Sequence, residues 1–188
     1  MRFTVYTSSS DAVDDRYRAA ARAFGYRIGE RGDALVYGGT DVGLMGVLAL
    51  ATREAGGHVT GVLPQLMAER GLADRGCDEL LITDGMSDRK RAMYERADAF
   101  IALPGGFGTL EELLEVLTLK QLGYHDKPIV LLDVEGFWQP LLAAFDHLFE
   151  LGFAKPEYAA LWYVASDLDD LFDYLDTYAP PDLPTKWF

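Results

Sequence analysis

The run Leu103-Pro104-Gly105-Gly106-Phe107-Gly108-Thr109-Leu110-Glu111-Glu112 joins an apolar strand to a helix through a turn that only small residues can make. Pro104 cannot extend a hydrogen-bonded ladder, while Gly105, Gly106 and Gly108 allow positive φ and close approach of the backbone to a ligand. A helix beginning near Thr109 would point free N–H groups and its positive dipole end back at that turn, an arrangement suited to a phosphate-type anion. The Thr109 hydroxyl and the amides of Gly106 and Gly108 are then the candidate donors, with Gly105 in the same binding turn. A purely structural alternative stands beside this one: Thr109-x-x-Glu112 fits a capping box, in which both side chains satisfy backbone donors at the helix start.

Upstream lie two further constellations, Met86-Ser87-Asp88-Arg89-Lys90-Arg91-Ala92-Met93 and Gly38-Gly39-Thr40-Asp41-Val42-Gly43-Leu44-Met45-Gly46. With all three, the chain resembles the LOG family, once widely misnamed lysine decarboxylases, whose members are cytokinin riboside 5′-monophosphate phosphoribohydrolases. The resemblance covers nearly the whole chain. It is most specific in Pro104-Gly105-Gly106-x-Gly108-Thr109-x-x-Glu112, then in Arg89-Lys90, and weakest in the first glycine loop. It implies Arg89 and Glu112 as catalytic residues. The implied reaction cuts the N-glycosidic bond of a purine nucleoside 5′-monophosphate, N6-substituted adenine included, to free base and ribose 5-phosphate. Three departures from the family pattern stand out. Gly38-Gly39-Thr40-Asp41 replaces the usual Gly-Gly-Gly-Ser or Gly-Gly-Gly-Thr, Thr7-Ser8-Ser9-Ser10 replaces Cys-Gly-Ser-Ser, and Ser87 stands where many relatives have histidine. Gly39 and Thr40 remain substrate-binding candidates. Asp41 reads as an outward-facing N-cap of the next helix, because a carboxylate turned inward would repel a phosphate.

N-glycosidic cleavage passes through an oxocarbenium-like ribose, so the site needs an anion near the sugar, a grip on phosphate and a way to stabilise the departing base. Glu112 in a first helical turn would be the anion, kept ionised by the dipole. The planar fork of Arg89 could hold phosphate, Glu112 or the base, and the sequence alone does not choose. Lys90 would supply nearby positive potential, and Arg91 reads as surface. No pyridoxal-phosphate or Schiff-base lysine context is apparent. His58, His125 and His147 lack ligand spacing, so neither metal nor cofactor is expected. Two rival functions stay open: a non-catalytic carrier of a phosphorylated, nucleotide-like cofactor, and a nucleosidase with no need for the 5′-phosphate.

The elements that must position these residues alternate along the chain. Strands are expected near Arg2–Thr7, Ala34–Tyr37, His58–Val62, Glu79–Thr83, Ala99–Leu103, Pro128–Leu132 and Trp162–Ala165. Helices are expected over Asp14–Glu30, Val42–Ala55, Asp88–Ala97, Leu110–Leu122, Gly136–Leu151 and Leu168–Tyr178. Strand–helix alternation with continuous apolar strands such as Ile129-Val130-Leu131-Leu132 predicts an α/β fold with a doubly wound parallel sheet, Rossmann-like, in a single domain over residues 1–178. All three glycine- or serine-rich turns, Ser8–Ser10, Gly38–Gly46 and Gly105–Gly108, fall at the carboxyl edge where such sheets bind ligands. Leu63–Cys77 is the least regular stretch, a loop with a short helix around Gln65–Arg70 that could lie over the site. Residues 179–188 form a proline-broken tail trailing across the surface.

At 188 residues with 49% hydrophobic content the chain suits one core, and a formal net charge of −13 opposes binding to DNA or RNA, which asks for a basic face. One cysteine, Cys77, fits a reducing compartment. The chain opens on a strand with no signal-peptide pattern and has no apolar run of spanning length, so a cytoplasmic protein without a membrane partner is expected. A homodimer is expected too, paired through the leucine-rich and aromatic surface of Leu110–Leu122 and Phe137–Leu151, so that Arg91 or Arg96 of one copy could approach the other's ligand.

Overall fold

The computed structural model describes residues 1–184. Seven parallel strands, β1 (Arg2–Tyr6), β2 (Ala34–Tyr37), β3 (His58–Pro64), β4 (Glu79–Thr83), β5 (Ala99–Ala102), β6 (Ile129–Leu132) and β7 (Tyr163–Ala165), form one sheet in the order β4-β3-β2-β1-β5-β6-β7. The chain builds outward from β1 in one direction, then returns to the other side of β1 with β5. The carboxyl ends of β1 and β5 therefore diverge into connections that leave in opposite directions, which opens a crevice. The helices are α1 (Asp15–Glu30), α2 (Gly43–Glu54), α3 (Gln65–Glu69), α4 (Met86–Arg96), α5 (Phe107–Gln121), α6 (Gln139–Glu150) and α7 (Leu168–Thr177).

Alternation along each central strand feeds two cores. Phe3 and Val5 of β1 pack with Phe24, Ile28, Leu44, Leu48 and Phe172 on the face covered by α1, α2 and α7. Tyr6 packs with Met93, Phe100, Leu113, Val116 and Trp138 on the face covered by α4, α5 and α6. The apolar run of β6 divides the same way, Val130 and Leu132 to one side and Ile129 and Leu131 to the other, as expected of a strand covered on both faces.

Several expectations needed correction. Helix α5 begins at Phe107 with Gly106 as its N-cap, so Thr109 is not the cap and the capping box does not form. The N-cap of α2 is Val42, with no side-chain bond; Asp41 is exposed and caps nothing. A 3₁₀ turn over Pro156–Leu161, without the 3.6-residue period that betrays an α-helix, precedes β7. Over its described residues the tail is pinned, with Leu183 against the second core and the Tyr158 hydroxyl donating to Pro184 O at 3.3 Å. Residues 185–188 lie outside the described residues.

Candidate active site

At the crevice, a cavity of about 280 Å³ is lined by residues of β1, of the connections after β1, β2 and β3, and of α2, α4 and α5. Among the described residues its charged members are Arg89 and Glu112. Arg89 lies in the first turn of α4, only 8% exposed, and spends its guanidinium on fixed partners. Nε donates to Val62 O of β3 at 3.1 Å, and Nη1 donates to Glu112 Oε1 at 2.7 Å. The fork thus holds the Glu112 carboxylate, one of the alternatives the sequence left open. Burial pushes the Glu112 carboxyl above its ordinary value, and the Arg89 charge opposes that rise without cancelling it. The dipole expectation is corrected accordingly: Glu112 sits beyond the first turn of α5 and is 7% exposed, so desolvation dominates.

The seat for Arg89 is made by Gly38. A Cβ at that position would fall 2.7 Å from Met45 Sδ and nearer still to Arg89 Nη2. Gly39, at φ +77° and with Val62 N 3.0 Å from where its Cβ would stand, packs against β3 and does not line the cavity. Thr40 does line it, and pairs in a short antiparallel bridge with Ala73.

The two glycine-rich helix starts differ in what they leave available. At α2, Leu44 N and Met45 N both donate to Ser8 O (2.9 and 3.3 Å) and Gly43 N donates to the Asp11 carboxylate at 3.2 Å. That first turn is already engaged by the loop after β1. At α5 no side chain caps the start, and no acidic residue stands in the first turn of Phe107, Gly108 and Thr109. Gly108 lines the cavity, Gly106 is exposed, and Thr109 is buried beneath Gly105, where a Cβ would meet Thr109 Cβ at 2.6 Å. Of the two helix starts, that of α2 is engaged by Ser8 O and the Asp11 carboxylate, and that of α5 has no side-chain cap.

Lys90 is not brought to the cavity. Its ammonium pairs with Glu111 and, at 3.2 Å, with Glu115, tying α4 to α5 outside the cavity lining. Arg91 pairs with Asp88 at 2.7 Å and Arg96 donates to Ala92 O at 3.2 Å, both within α4. Sequence reasoning missed the apolar wall. Met45, Met67, Met86 and Met93, every methionine after Met1, line the cavity beside Val42 and Leu72. The signal was present, since three of them stand inside the two upstream motifs.

Strand order and cavity together define a doubly wound α/β protein with a ligand site at its switch point. The profile of a family described as "Possible lysine decarboxylase" matches residues 45–175. Cytokinin riboside 5′-monophosphate phosphoribohydrolase LOG3 of Arabidopsis thaliana is 41% identical over 179 residues, spanning 95% of this chain and 83% of that protein. The enzyme of the same description, LOG, from Oryza sativa subsp. japonica is 42% identical over 95% of this chain and 74% of its own length. The chain belongs to the LOG family. Among solved structures, the molybdenum cofactor binding protein from Rippkaea orientalis superposes with a TM-score of 0.72 at 20% identity, over 94% of this chain and 95% of that one. The molybdenum cofactor carrier protein from Chlamydomonas reinhardtii gives 0.71 at 23%, over 93% and 95%. At those identities the likeness is one of fold.

Proposed function

We propose that the protein is a hydrolase that cleaves the N-glycosidic bond of a purine nucleoside 5′-monophosphate, AMP or an N6-substituted AMP, releasing the base and ribose 5-phosphate. The observation that carries this is the buried Arg89–Glu112 pair at 2.7 Å, facing a cavity whose neighbouring helix start is uncapped. The phosphate sits on the amides at the start of α5, where the dipole and free donors favour an anion despite the chain's net charge of −13. Glu112 then lies within reach of the ribose. Its charge, in a low-dielectric setting, stabilises the oxocarbenium character that develops at C1′, and its carboxylate accepts the proton of the attacking water. Arg89 keeps that carboxylate aimed, anchored in turn by Val62 O. The methionine wall receives the base, since a flexible thioether surface accommodates flat or alkylated rings alike.

The protein acts as a homodimer in this reading. Helix α6 packs Leu141, Leu142, Phe145 and Phe149 against the second core but buries none of them fully, and Leu114 of α5 with Leu148, Leu151 and Phe153 stay exposed. Such a face favours a symmetric partner. Light scattering should give about twice the 20.8 kDa chain mass, and a monomer would remove this part of the proposal. A cytoplasmic location rests on the single half-buried Cys77.

The test is to incubate the pure protein with AMP, N6-isopentenyl-AMP, GMP, CMP and the matching nucleosides, without added metal, and to follow free base by chromatography. Adenine or substituted adenine should appear from the monophosphates. Base from nucleosides at equal rate would indicate a nucleosidase, and tight binding with no base from any of them would indicate a carrier.

A further inference from the structure

The connection from β3 to β4 supplies two side chains to the cavity, Met67 and Leu72. Its short helix α3 buries no residue, and Leu66 points away from the protein with 58% exposure. Apolar packing thus contributes little to holding this strap of residues 65–76 in place, and polar anchors must set its height over the ligand.

Those anchors converge on Asp74, which is 4% exposed. Its carboxylate accepts from the Tyr37 hydroxyl at 2.7 Å, from Arg53 Nη1 at 2.7 Å and from Gly76 N at 2.8 Å. Its own N–H donates to Gly39 O at 2.9 Å, and the residue before it, Ala73, bridges to Thr40. Burial would raise this carboxyl, yet the Arg53 and Tyr37 donors bring it below its ordinary value, so it stays ionised. The partners belong to elements that build the site. Tyr37 ends β2 immediately before Gly38, the seat of Arg89, and Arg53 stands on α2, which contributes Met45 to the cavity wall.

In the hydrolase reading, phosphate and ribose lie toward Gly108, Arg89 and Glu112. The base then meets the apolar part of the lining, to which the strap contributes Met67 and Leu72. Resting on the hydrolase reading above, we propose that Asp74, clamped by Arg53 and Tyr37, is a positioning residue that sets the strap as the wall against the purine and so determines affinity for the base without touching the reacting atoms.

The test compares wild type with Asp74→Ala, Arg53→Ala, Arg53→Lys and Tyr37→Phe. Readouts are kcat and KM for AMP and the inhibition constants of the two products. Loss of the clamp should raise KM and the adenine inhibition constant at least about tenfold, while kcat and the constant for ribose 5-phosphate stay within roughly threefold, because the phosphate end is untouched. Arg53→Lys, which keeps a cation for Asp74, should recover most of the loss. A folded Asp74→Ala with unchanged adenine inhibition overturns the proposal, as does a parallel rise for both products, which would mean general loosening. Should Asp74→Ala not fold, Tyr37→Phe, which removes one hydroxyl, decides by the same split. A wild type that releases no base from AMP sinks the hydrolase reading instead, and calorimetric affinity for adenine in the same variants then judges the clamp separately.

Discussion

Gly38 illustrates how closely the reacting pair depends on a position that carries no chemistry itself. In Gly38→Ala the new methyl competes with Arg89 Nη2 and Met45 Sδ for one space. The guanidinium must swing away from Glu112, and kcat should fall at least roughly a hundredfold, with about 1–3 kcal/mol lost from overpacking. Retained turnover in the folded variant would show that Arg89 acts from another position. Glu112 offers the complementary prediction. Gln at this position still presents an oxygen to Arg89 Nη1, so the fold should survive while kcat drops by at least roughly a hundredfold for want of the charge. Because burial lifts the Glu112 carboxyl above 4.5, kcat/KM of the wild type should decline on the acid side around a midpoint above that value as Glu112 protonates, and the Gln variant should lack that limb. A wild-type midpoint at or below 4.5 contradicts the assignment.

Helices α2 and α5 both start at glycine-rich turns on the ligand edge, yet their first turns do different work. The first turn of α2 is consumed by Ser8 O and the Asp11 carboxylate, which fastens the β1 loop to the β2 loop. The α5 start has no side-chain cap and is where the proposed function seats the phosphate. A direct consequence concerns Gly108, where a Cβ would meet nothing within 4 Å and the backbone carries no positive φ. Gly108→Asp therefore fits sterically and suits a helix N-terminus, but sets a carboxylate in the cradle. It should raise KM for AMP at least about tenfold while leaving any turnover of adenosine undiminished, since only the phosphate is repelled. An equal effect on both substrates would place the phosphate elsewhere. Lys90 belongs to this scale too: its pairs with Glu111 and Glu115 brace α4 against α5 rather than greeting the substrate.

For the molecule as a whole, acid stability should be governed by a histidine remote from the ligand. His125 lies half-buried against Tyr94 and Phe100, with Nε2 bonded to Val116 O at 2.9 Å and Nδ1 accepting from Lys127 N at 3.1 Å. Both bonds suit the neutral ring, and burial pulls its pKa from 6.5 to about 4. The folded state therefore resists a proton that the unfolded chain accepts. This contribution is complete above 6.5 and is lost as pH falls from there to about 4. The Asp14, Asp74, Asp98 and Asp170 carboxyls lie below 3.8 and matter only in stronger acid. Glu112 acts in the opposite sense, because its raised pKa makes protonation favour the fold. The thermal midpoint should thus fall between neutral pH and a pH just above 4, and fall less in His125→Gln. Parallel losses in the two proteins would exonerate the histidine.

Local pattern was enough for the strand–helix alternation, the parallel sheet and the carboxyl-edge placement of the glycine turns, whereas Arg89 and Glu112 were singled out by the family resemblance, and the sequence left open what the Arg89 fork holds. Strand pleat, helix period and turn chemistry are all properties of near neighbours, so they are written in short windows of residues. Helix starts were harder, and α5 shows why: Gly106 takes the cap position because the turn after Pro104 closes early, which leaves Thr109 inside the first turn and Glu112 turned toward Arg89. What folding added were encounters between distant segments. Arg89 meets Val62 and the bare face of Gly38, Lys90 turns from the cavity to α5, Asp11 takes the place at α2 that Asp41 was expected to fill, and Asp74 gathers Tyr37 and Arg53 beneath the strap. None of these pairs shares a helix face or a strand register. Each exists because a parallel sheet brings the ends of separate strands to one edge, where the packing of the whole chain, and no local preference, selects which polar groups are buried together.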